Sequence, residues 1–402
     1  MAQLVLALGD RPVVLLHGAR QTGKSTLVQT LGSDSAQYRT LDDAQTLAAA
    51  TLDPRGFLDS SGGTLIIDEV QRAPNLLPAI KLAVDQDRRP GRFLLTGSAQ
   101  VLVLPQVSES LAGRIEVLTL WPLAQEEIEG RDTGFIDRLF EPKLDLGHVD
   151  GEGREAILRR ALTGGYPEVV TRMAPERRGT WFDSYLSTML QREVRGLADI
   201  EALTSMPRVL GLLAARSGGL LNVADLARQT GIPNTSLHRY LALLQLVFLI
   251  DLVPPWSGSL SRRLVKSPKV YLTDAGLLGH LLRLTETQTT GRAHLVGQAL
   301  ENFVMMELRR QIGWSQLRPD LLHFRTHDGH EVDAILEARG GEIVGLEIKS
   351  SEVTGAEDFR GLRALAAKMP DRFLRGLVLH PGQHVLPFGP DLWAVPISAL
   401  WS

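Results

Sequence analysis

The sequence predicts an α/β protein of several modules, because three stretches each combine strand-forming residues with polar or charged ones. Val13 to Leu16 is a short apolar run, as a buried parallel strand requires, and a glycine-bearing loop and a helical pattern follow it. Residues 64–69 form a second apolar run that ends in two acids. Residues 331–349 predict a hairpin that carries charged side chains. We therefore expect a parallel sheet near the N-terminus and a second α/β unit near the C-terminus.

The loop after the first strand matches G-x-x-x-x-G-K-[ST], the Walker A phosphate loop. Gly18 and Gly23 permit turns that a side chain would obstruct, and the N–H groups of the loop form a nest for phosphate oxygens. In this motif Lys24 carries charge to the β- and γ-phosphates, and the Ser25 hydroxyl binds Mg²⁺. A chance match is the alternative, but the neighbouring strand and helix argue against it. The residues predicted to bind ATP are Gly18, Ala19, Arg20, Gln21, Thr22, Gly23, Lys24, Ser25 and Thr26.

The second apolar run has the Walker B pattern, in which a buried strand ends in carboxylates. Asp68 would hold the Mg²⁺ shell through water, and Glu69 would orient and deprotonate the attacking water. The alternative is a strand that ends in solvated acids. The upstream phosphate loop favours the Walker B interpretation.

A third buried strand, Arg92 to Leu95, ends in hydroxyl residues. Ligands of open parallel sheets lie at the carboxyl ends of the strands, so Thr96 or Ser98 is expected to sense the γ-phosphate. Further on, Arg114 is a candidate arginine finger that acts within its own subunit or on a neighbouring one. A surface salt bridge is the alternative role for Arg114.

Together these segments resemble the AAA-type ATPase module that precedes a domain of uncharacterised function, DUF4143. The resemblance is carried by Gly18 to Ser25, Asp68 to Gln71, Thr96 to Ser98, and Gly113-Arg114 before Trp121 to Leu123. It implies an N-terminal P-loop AAA-type parallel sheet that uses ATP and Mg²⁺.

The middle of the chain predicts helices and then a winged helix. Gly164 to Pro167 sits at a helix end and resembles the opening of the DUF4143 region. Further on, a helix, a glycine turn at Gly231, a second helix and a two-stranded wing are expected. The wing strands are expected at Val247 to Val253 and at Lys269 to Leu272.

Two roles for the predicted winged helix stay open. DNA contact would use Ser236, His238 and Arg239 on the exposed second helix. It would also use basic residues on or near the wing tip, which are Arg262, Arg263, Lys266 and Lys269. Packing against the ATPase core or a protein partner is the alternative, since a net charge of -3 gives no general attraction to nucleic acid.

The C-terminal hairpin carries a cluster of charged residues. Strand alternation places Glu347 and Lys349 on one face, and Asp333 can lie beside them on the next strand. With Glu301 on an upstream helix, the arrangement resembles the PD-(D/E)xK nuclease pattern of restriction-endonuclease-like α/β domains, although Val332 stands at the proline position. The resemblance implies that Asp333, Glu347 and Glu301 bind Mg²⁺ and that Lys349 orients or activates water. The alternatives are a structural ion-pair cluster and a domain that binds without cleaving.

Length and composition bound the remaining expectations. At 402 residues we expect an ATPase core over 1–130, a helical connector over 131–215, a winged helix over 216–290 and a nuclease-like domain over 291–402. The chain has no cysteine, which excludes disulfides and zinc–thiolate sites. The apolar N-terminus lacks a basic start and is expected to lead into the first strand. With no apolar run long enough for a bilayer, a cytoplasmic protein without membrane contact is expected.

Two functional hypotheses follow. In the first, ATP binding or hydrolysis gates a module that engages or cleaves nucleic acid. In the second, ATP drives a binding switch whose last domain is a catalytically inactive pseudonuclease. The expected partners are ATP, DNA or RNA, and a second copy of the chain or another protein.

Overall fold

The computed structural model divides the chain into two compact units. The first consists of Met1–Trp121, Thr188–Ile200 and Leu246–Phe248, and the second of Pro122–Ser187, Glu201–Gln245 and Leu249–Ser402. The structure describes residues 1–31, 36–59, 62–98, 111–194, 205–257, 267–286, 291–326 and 328–402, apart from the side chains of 192 and 193.

The first unit is built on a five-stranded sheet with strand order β2-β3-β4-β1-β5, and all the neighbouring strands are parallel. Its elements are α1 (Ala2–Asp10), β1 (Val13–Gly18), α2 (Lys24–Gln29), β2 (Ala36–Thr40), α3 (Ala44–Leu52), α4 (Pro54–Phe57), β3 (Thr64–Asp68), α5 (Leu76–Gln86), β4 (Phe93–Gly97) and β5 (Ile115–Leu120). The predicted parallel sheet is therefore confirmed. Because its strands run in one direction, their carboxyl ends meet at one edge.

The apolar N-terminus, which was expected to lead into β1, does so as the helix α1. In α1, Leu4 and Ala7 are three positions apart and lie on one face. Both are buried in a cluster that includes Val14 and Leu16 of β1. Burial of this face against the sheet explains why an apolar lead-in folds as a helix.

The remaining elements lie wholly or mainly in the second unit. They are α6 (Gln125–Glu129), α7 (Phe135–Arg138), α8 (Arg154–Thr163), α9 (Pro167–Arg172), α10 (Arg178–Thr188), α11 (Met206–Ala214), α12 (Val223–Thr230), α13 (Asn234–Leu246), β6 (Ile250–Val253), β7 (Lys269–Leu272), α14 (Ala275–Leu281), α15 (Ala293–Ile312), β8 (Asp320–Arg325), β9 (Glu331–Glu337), β10 (Ile343–Ile348), α16 (Arg360–Lys368), β11 (Phe373–His380), β12 (Leu386–Gly389) and β13 (Leu392–Pro396). No helix in the described ranges is both long and apolar enough to cross a membrane.

The second unit has a mixed six-stranded sheet with the order β12-β13-β11-β10-β9-β8. The strands β8, β9 and β10 are antiparallel neighbours, whereas β10, β11 and β13 are parallel. One face of the sheet packs in a cluster with α15, and the other packs in a cluster with α16. This places Asp333 on β9 and Glu347 on the adjacent β10.

The predicted helical connector contributes to the core of this second unit. Phe135, Ile136 and Leu139 are at most 2% exposed, and they share one cluster with α15 and the central strands of the sheet. Residues 122–187 belong to the same compact unit as the sheet. The predicted boundaries at 130/131 and 290/291 do not coincide with the division between the units.

The predicted helix–turn–helix and hairpin elements are present between α11 and β7. Gly231 ends α12 in the left-handed conformation, with φ of 73°, which suits glycine. The strands β6 and β7 pair antiparallel. The first strand begins at Ile250 rather than Val247, because Phe248 adopts a left-handed φ of 59° that an extended strand cannot contain. Arg262, Arg263 and Lys266 lie outside the described residues.

We expect Phe135→Ala to lower the free energy of unfolding of the second unit by about 3–5 kcal/mol, because a fully buried ring leaves a cavity. Chemical unfolding followed by fluorescence measures the change. The exposed Lys143→Ala, in the same segment, is the control and should change it by less than about 0.5 kcal/mol. Equal effects of the two variants would contradict a core role for this segment.

Candidate functional site

The phosphate loop lies where β1 ends, at the carboxyl edge of the parallel sheet. A Cβ atom on Gly18 would meet the Leu120 carbonyl oxygen at 2.2 Å, so no side chain fits there. Gly23 has a left-handed φ of 92° directly before α2, a conformation that glycine adopts without strain. The loop residues Ala19, Arg20, Gln21 and Thr22 lie between these two glycines, and Thr26 lies in α2.

The Lys24 ammonium lies over the loop. Its Nζ donates to the carbonyl oxygens of Gly18 at 3.1 Å and Ala19 at 2.6 Å, and the residue is 6% exposed. Carbonyl dipoles are weaker partners for an ammonium than phosphate charges are. An arriving phosphate can therefore replace them.

The Asp68 carboxylate is the centre of the contacts at this edge. Its Oδ1 accepts a hydrogen bond from Ser25 Oγ at 3.1 Å and another from Thr96 Oγ1. Its Oδ2 accepts from the Tyr38 hydroxyl at 2.7 Å. The structure thus brings together Ser25 and Asp68, the two residues predicted to hold Mg²⁺ in this unit. Carboxylate and hydroxyl oxygens, beside a loop of N–H donors, fit a Mg²⁺–ATP ligand.

Tyr38 is a site residue that the sequence motifs did not reveal. It lies on β2, whose parallel register with β3 places Thr40 opposite Asp68. Burial and the hydrogen bond to Asp68 raise the pKa of Tyr38 above its usual value. Tyr38 could have been predicted from its position on the strand next to the Walker B strand, but only if the pairing of those strands were already known.

Glu69 is held by two polar contacts and a strained backbone. Its φ is 60°, a left-handed value that costs a residue with a side chain about 1 kcal/mol or more. Its N–H donates to Thr96 Oγ1 at 3.1 Å, and its carboxylate accepts from the Gln71 amide. Strain of this kind is common where a catalytic side chain must point at a ligand.

The two candidates for sensing the γ-phosphate differ in their contacts. The Thr96 hydroxyl is fully buried and engaged with both Asp68 and Glu69. The Ser98 hydroxyl is also buried, but within the described residues it has no hydrogen-bond partner. A buried polar atom without a partner is costly. Ser98 is therefore the hydroxyl that suits a ligand contact, whereas Thr96 positions the two acids.

Arg114 lies at the opposite edge of the sheet from the phosphate loop. The register pairs Val13 with Ile115 and Gly18 with Leu120, so Arg114 precedes β5 about 20 Å from the loop. Its guanidinium forms an ion pair with Asp85, at 2.7 Å from Nη2. This position and the ion pair favour the salt-bridge role over action on the nucleotide of the same subunit. Arg114 thus forms the salt bridge that was its alternative predicted role. Action as an arginine finger on a neighbouring subunit stays a prediction.

The second group of predicted site residues surrounds a lysine. Lys269 Nζ lies 2.9 Å from Asp333 Oδ1, 3.2 Å from Glu301 Oε1 and 2.8 Å from Glu331 Oε1. The Lys269 side chain is 2% exposed, so the predicted contact of Lys269 with DNA is wrong. Burial alone would lower the pKa of Lys269, but the facing carboxylates outweigh it and raise the pKa above its usual value.

Glu347 and Lys349 complete this carboxylate cluster, which we define as Lys269, Glu301, Glu331, Asp333, Glu347 and Lys349. Lys349 Nζ lies 2.9 Å from Glu347 Oε1. Burial raises the pKa of both Glu301 and Glu347, and the charge of Asp333 adds to each shift. Asp333 Oδ2 accepts from the backbone N–H of Ile348 at 3.0 Å.

The carboxylate cluster does not fit a divalent metal as it stands. Among the described residues, no group of three or more acidic, histidine or cysteine side chains is arranged to hold a metal ion. The position facing Asp333 and Glu301, where the sequence predicted Mg²⁺, contains the Lys269 ammonium.

The sheet and the phosphate edge define the class of protein: the first unit is a P-loop ATPase of the AAA type. A family model described as an AAA domain matches residues 10–129. Two models for domains of unknown function follow, DUF8612 over residues 154–288 and DUF4143 over residues 296–400. The interpretation of Gly164 to Pro167 as the opening of the DUF4143 region was therefore wrong.

The chain belongs to the family that contains two uncharacterized mycobacterial proteins. These are Mb2031c of Mycobacterium bovis and Rv2008c of Mycobacterium tuberculosis. Each is 32% identical over 401 residues, which is 99% of this chain and 83% of the relative.

Two solved structures illustrate the more distant similarities. A Thermotoga maritima RuvB variant is 21% identical, covers 63% of this chain and 88% of its own, and has a TM-score of 0.29. Drosophila ORC bound to AT-rich DNA and Cdc6 is 9% identical, covers 70% of this chain and 89% of its own, and has a TM-score of 0.20. At these scores neither structure carries an argument about function.

His17, beside the phosphate loop, predicts how stability depends on pH. Burial and the charge of Lys24 lower the pKa of His17 from 6.5 to about 4. The unfolded chain therefore binds this proton first, and the free energy of unfolding should fall as the pH drops from about 6.5 to 4. At about 1.4 kcal/mol for each pKa unit, the loss approaches about 3 kcal/mol.

Unfolding of wild type and His17→Gln at several pH values measures this dependence. The glutamine variant should show a flatter profile between pH 4 and 6.5, because glutamine does not titrate. The exposed His148→Gln is the control and should leave the profile unchanged. A His17→Gln profile as steep as that of wild type would contradict the assignment.

Proposed function

We propose that this chain hydrolyses ATP in its first unit and uses the nucleotide cycle to switch binding by its second unit. The observation that carries the proposal is the Ser25–Asp68 hydrogen bond of 3.1 Å, with Glu69 held beside it at the carboxyl edge of the sheet. A hydroxyl, a metal-binding acid and a general base at one phosphate loop are the parts that ATP hydrolysis needs.

The residues divide the chemistry between them. Lys24 exchanges its carbonyl partners for the β- and γ-phosphates. Mg²⁺ held by Ser25, and through water by Asp68, would offset the phosphate charge. Glu69 orients the attacking water and takes its proton, and Gln71 must first release the Glu69 carboxylate.

A contact within the first unit supports coupling between the nucleotide and the second unit. The ring of Phe248 lies 5.3 Å from that of His17, the residue before Gly18, and also 5.3 Å from the ring of Trp121. Phe248 directly precedes Leu249, where the chain returns to the second unit, and Trp121 directly precedes Pro122, where the second unit begins. Movement of the phosphate loop would thus reach two points at which the chain passes into the second unit.

Nucleic acid is the target that we propose for the switch. The helix α13 carries the exposed His238 and Arg239 and the half-buried Ser236, after a left-handed turn at Gly231. With α11, α12 and the β6–β7 hairpin, this is the order of elements in a winged helix. Of the two hypotheses we favour the binding switch over the nuclease, because an ammonium occupies the carboxylate cluster. Arg114 would act in trans if the chain forms oligomers.

We expect Lys24→Ala to weaken ATP binding at least tenfold, because the phosphates lose their main cation. Glu69→Gln should keep ATP binding but reduce kcat by about 10²–10⁴-fold, the usual contribution of a general base. Nucleotide titration and phosphate release measure the two effects. Lys81→Ala, in α5 of the same unit, is the control. If Lys24→Ala bound and hydrolysed ATP as well as wild type does, the ATPase proposal would be contradicted.

We expect Arg239→Ala to weaken binding to DNA or RNA and to reduce the slope of log K against log salt by about one unit, because one phosphate contact is lost. Fluorescence anisotropy at several salt concentrations, with ATP present, measures both. Arg360→Ala, an exposed arginine of α16, removes the same charge elsewhere and should leave the slope unchanged.

Two results would redirect this part of the proposal. An unchanged slope in Arg239→Ala would leave the helix–hairpin region as a packing or protein-binding surface. Cleavage of DNA or RNA with Mg²⁺ or Mn²⁺, abolished by Asp333→Ala and by Lys349→Ala, would favour the nuclease hypothesis instead.

A further inference from the structure

The Lys269 ammonium has the partners that a buried cation requires. An ammonium has three N–H donors, and three carboxylate oxygens, from Glu301, Glu331 and Asp333, lie within 3.2 Å of Nζ. Each donor therefore has a carboxylate acceptor. A lysine that is 2% exposed is costly unless it is paired in this way.

A divalent ion at the predicted position would need the same oxygens. Mg²⁺ or Mn²⁺ bound to Asp333 Oδ1 would lie about 2.1 Å from it, and Lys269 Nζ is already 2.9 Å from that oxygen. The two cations would then be no more than about 5 Å apart in a buried site, where like charges repel strongly. The other Asp333 oxygen accepts from the Ile348 N–H. Lysine and metal thus compete for one place.

The backbone of Lys269 is held by its neighbours on both sides. Lys269 pairs with Val253 across the hairpin, and it forms an isolated bridge with Leu220 on its other side. Two residues along, Tyr271 donates to Glu301 at 2.8 Å. The Asn302 side chain bonds both the N–H and the carbonyl of Leu272 at 2.9 Å. The strand β7 is therefore held against α15 from Lys269 to Leu272.

We propose that Lys269 is the resident cation of the carboxylate cluster: its ammonium takes the place of a divalent metal and fastens β7 to α15 and β9. The cluster then needs no metal to fold, and the second unit presents a closed ion network in place of a metal-dependent cleavage site. This inference deepens the proposed binding switch and rests on it only for that consequence. Neither ATP turnover nor nucleic-acid binding enters its test.

The test is Mn²⁺ binding to the full chain without nucleotide, measured by electron paramagnetic resonance of the free ion. Four proteins are compared: wild type, Asp333→Asn, Lys269→Ala, and the Lys269→Ala/Asp333→Asn double variant. The phosphate loop is unchanged in all four, so any Mn²⁺ that it binds is common to them. We expect wild type and Asp333→Asn to bind equal amounts. Lys269→Ala should bind one further Mn²⁺ per chain, and the double variant should lose it.

Either of two results would overturn the inference. One is a wild-type protein that binds one Mn²⁺ more than Asp333→Asn does. The other is a folded Lys269→Ala that gains no Mn²⁺. If Lys269→Ala does not fold, Lys269→Met/Asp333→Asn removes one charge of each sign and keeps the apolar stem. If that variant folds, the result supports the proposal that ion pairs of Lys269 hold β7 to α15 and β9. If it does not fold, that part of the proposal is overturned.

Discussion

A buried carboxylate must have partners, and this constraint organises both functional regions of the chain. Asp68 and Asp333 are 3% and 8% exposed, and each ends or interrupts an apolar strand. Leaving either charge without partners would cost several kcal/mol. The two residues satisfy the constraint with different chemistry, and that difference determines what each region can bind.

Asp68 is satisfied by hydroxyls and Asp333 by an ammonium. The hydroxyls of Ser25, Tyr38 and Thr96 stabilise the Asp68 carboxylate through hydrogen bonds but carry no charge to neutralise it. Such a carboxylate still attracts a cation. The Lys269 ammonium pairs with Asp333 directly and occupies the position that a second cation would need. On the proposed assignments, a metal ion would meet uncharged hydroxyls at Asp68 but would have to displace an ammonium at Asp333.

The sequence predicted those parts of the fold and sites that local patterns encode. The phosphate loop, the Walker B strand and the C-terminal hairpin each depend on neighbours within a few residues, so periodicity and motif spacing reveal them. Lys269 and Asp333 are 64 residues apart, and no local pattern links them. The same holds for Tyr38 with Asp68, and for Phe135, whose burial depends on α15 and the C-terminal sheet. The contacts that the sequence did not predict join residues far apart in the chain, and they form only when the strands and helices pack together.

The two buried lysines differ in how readily a ligand could replace their partners. Lys24 bonds two backbone carbonyls of its own loop, which are neutral dipoles that a phosphate can outcompete. A bound phosphate would therefore change the partners of Lys24, which is how the proposed cycle would act on the loop. Lys269 already has three anionic partners and a backbone held on both sides of its strand. Exchanging those partners would leave the buried Asp333 carboxylate without its ammonium. In the proposed switch the nucleotide would act at Lys24, while Lys269 would keep the hairpin and the C-terminal sheet together.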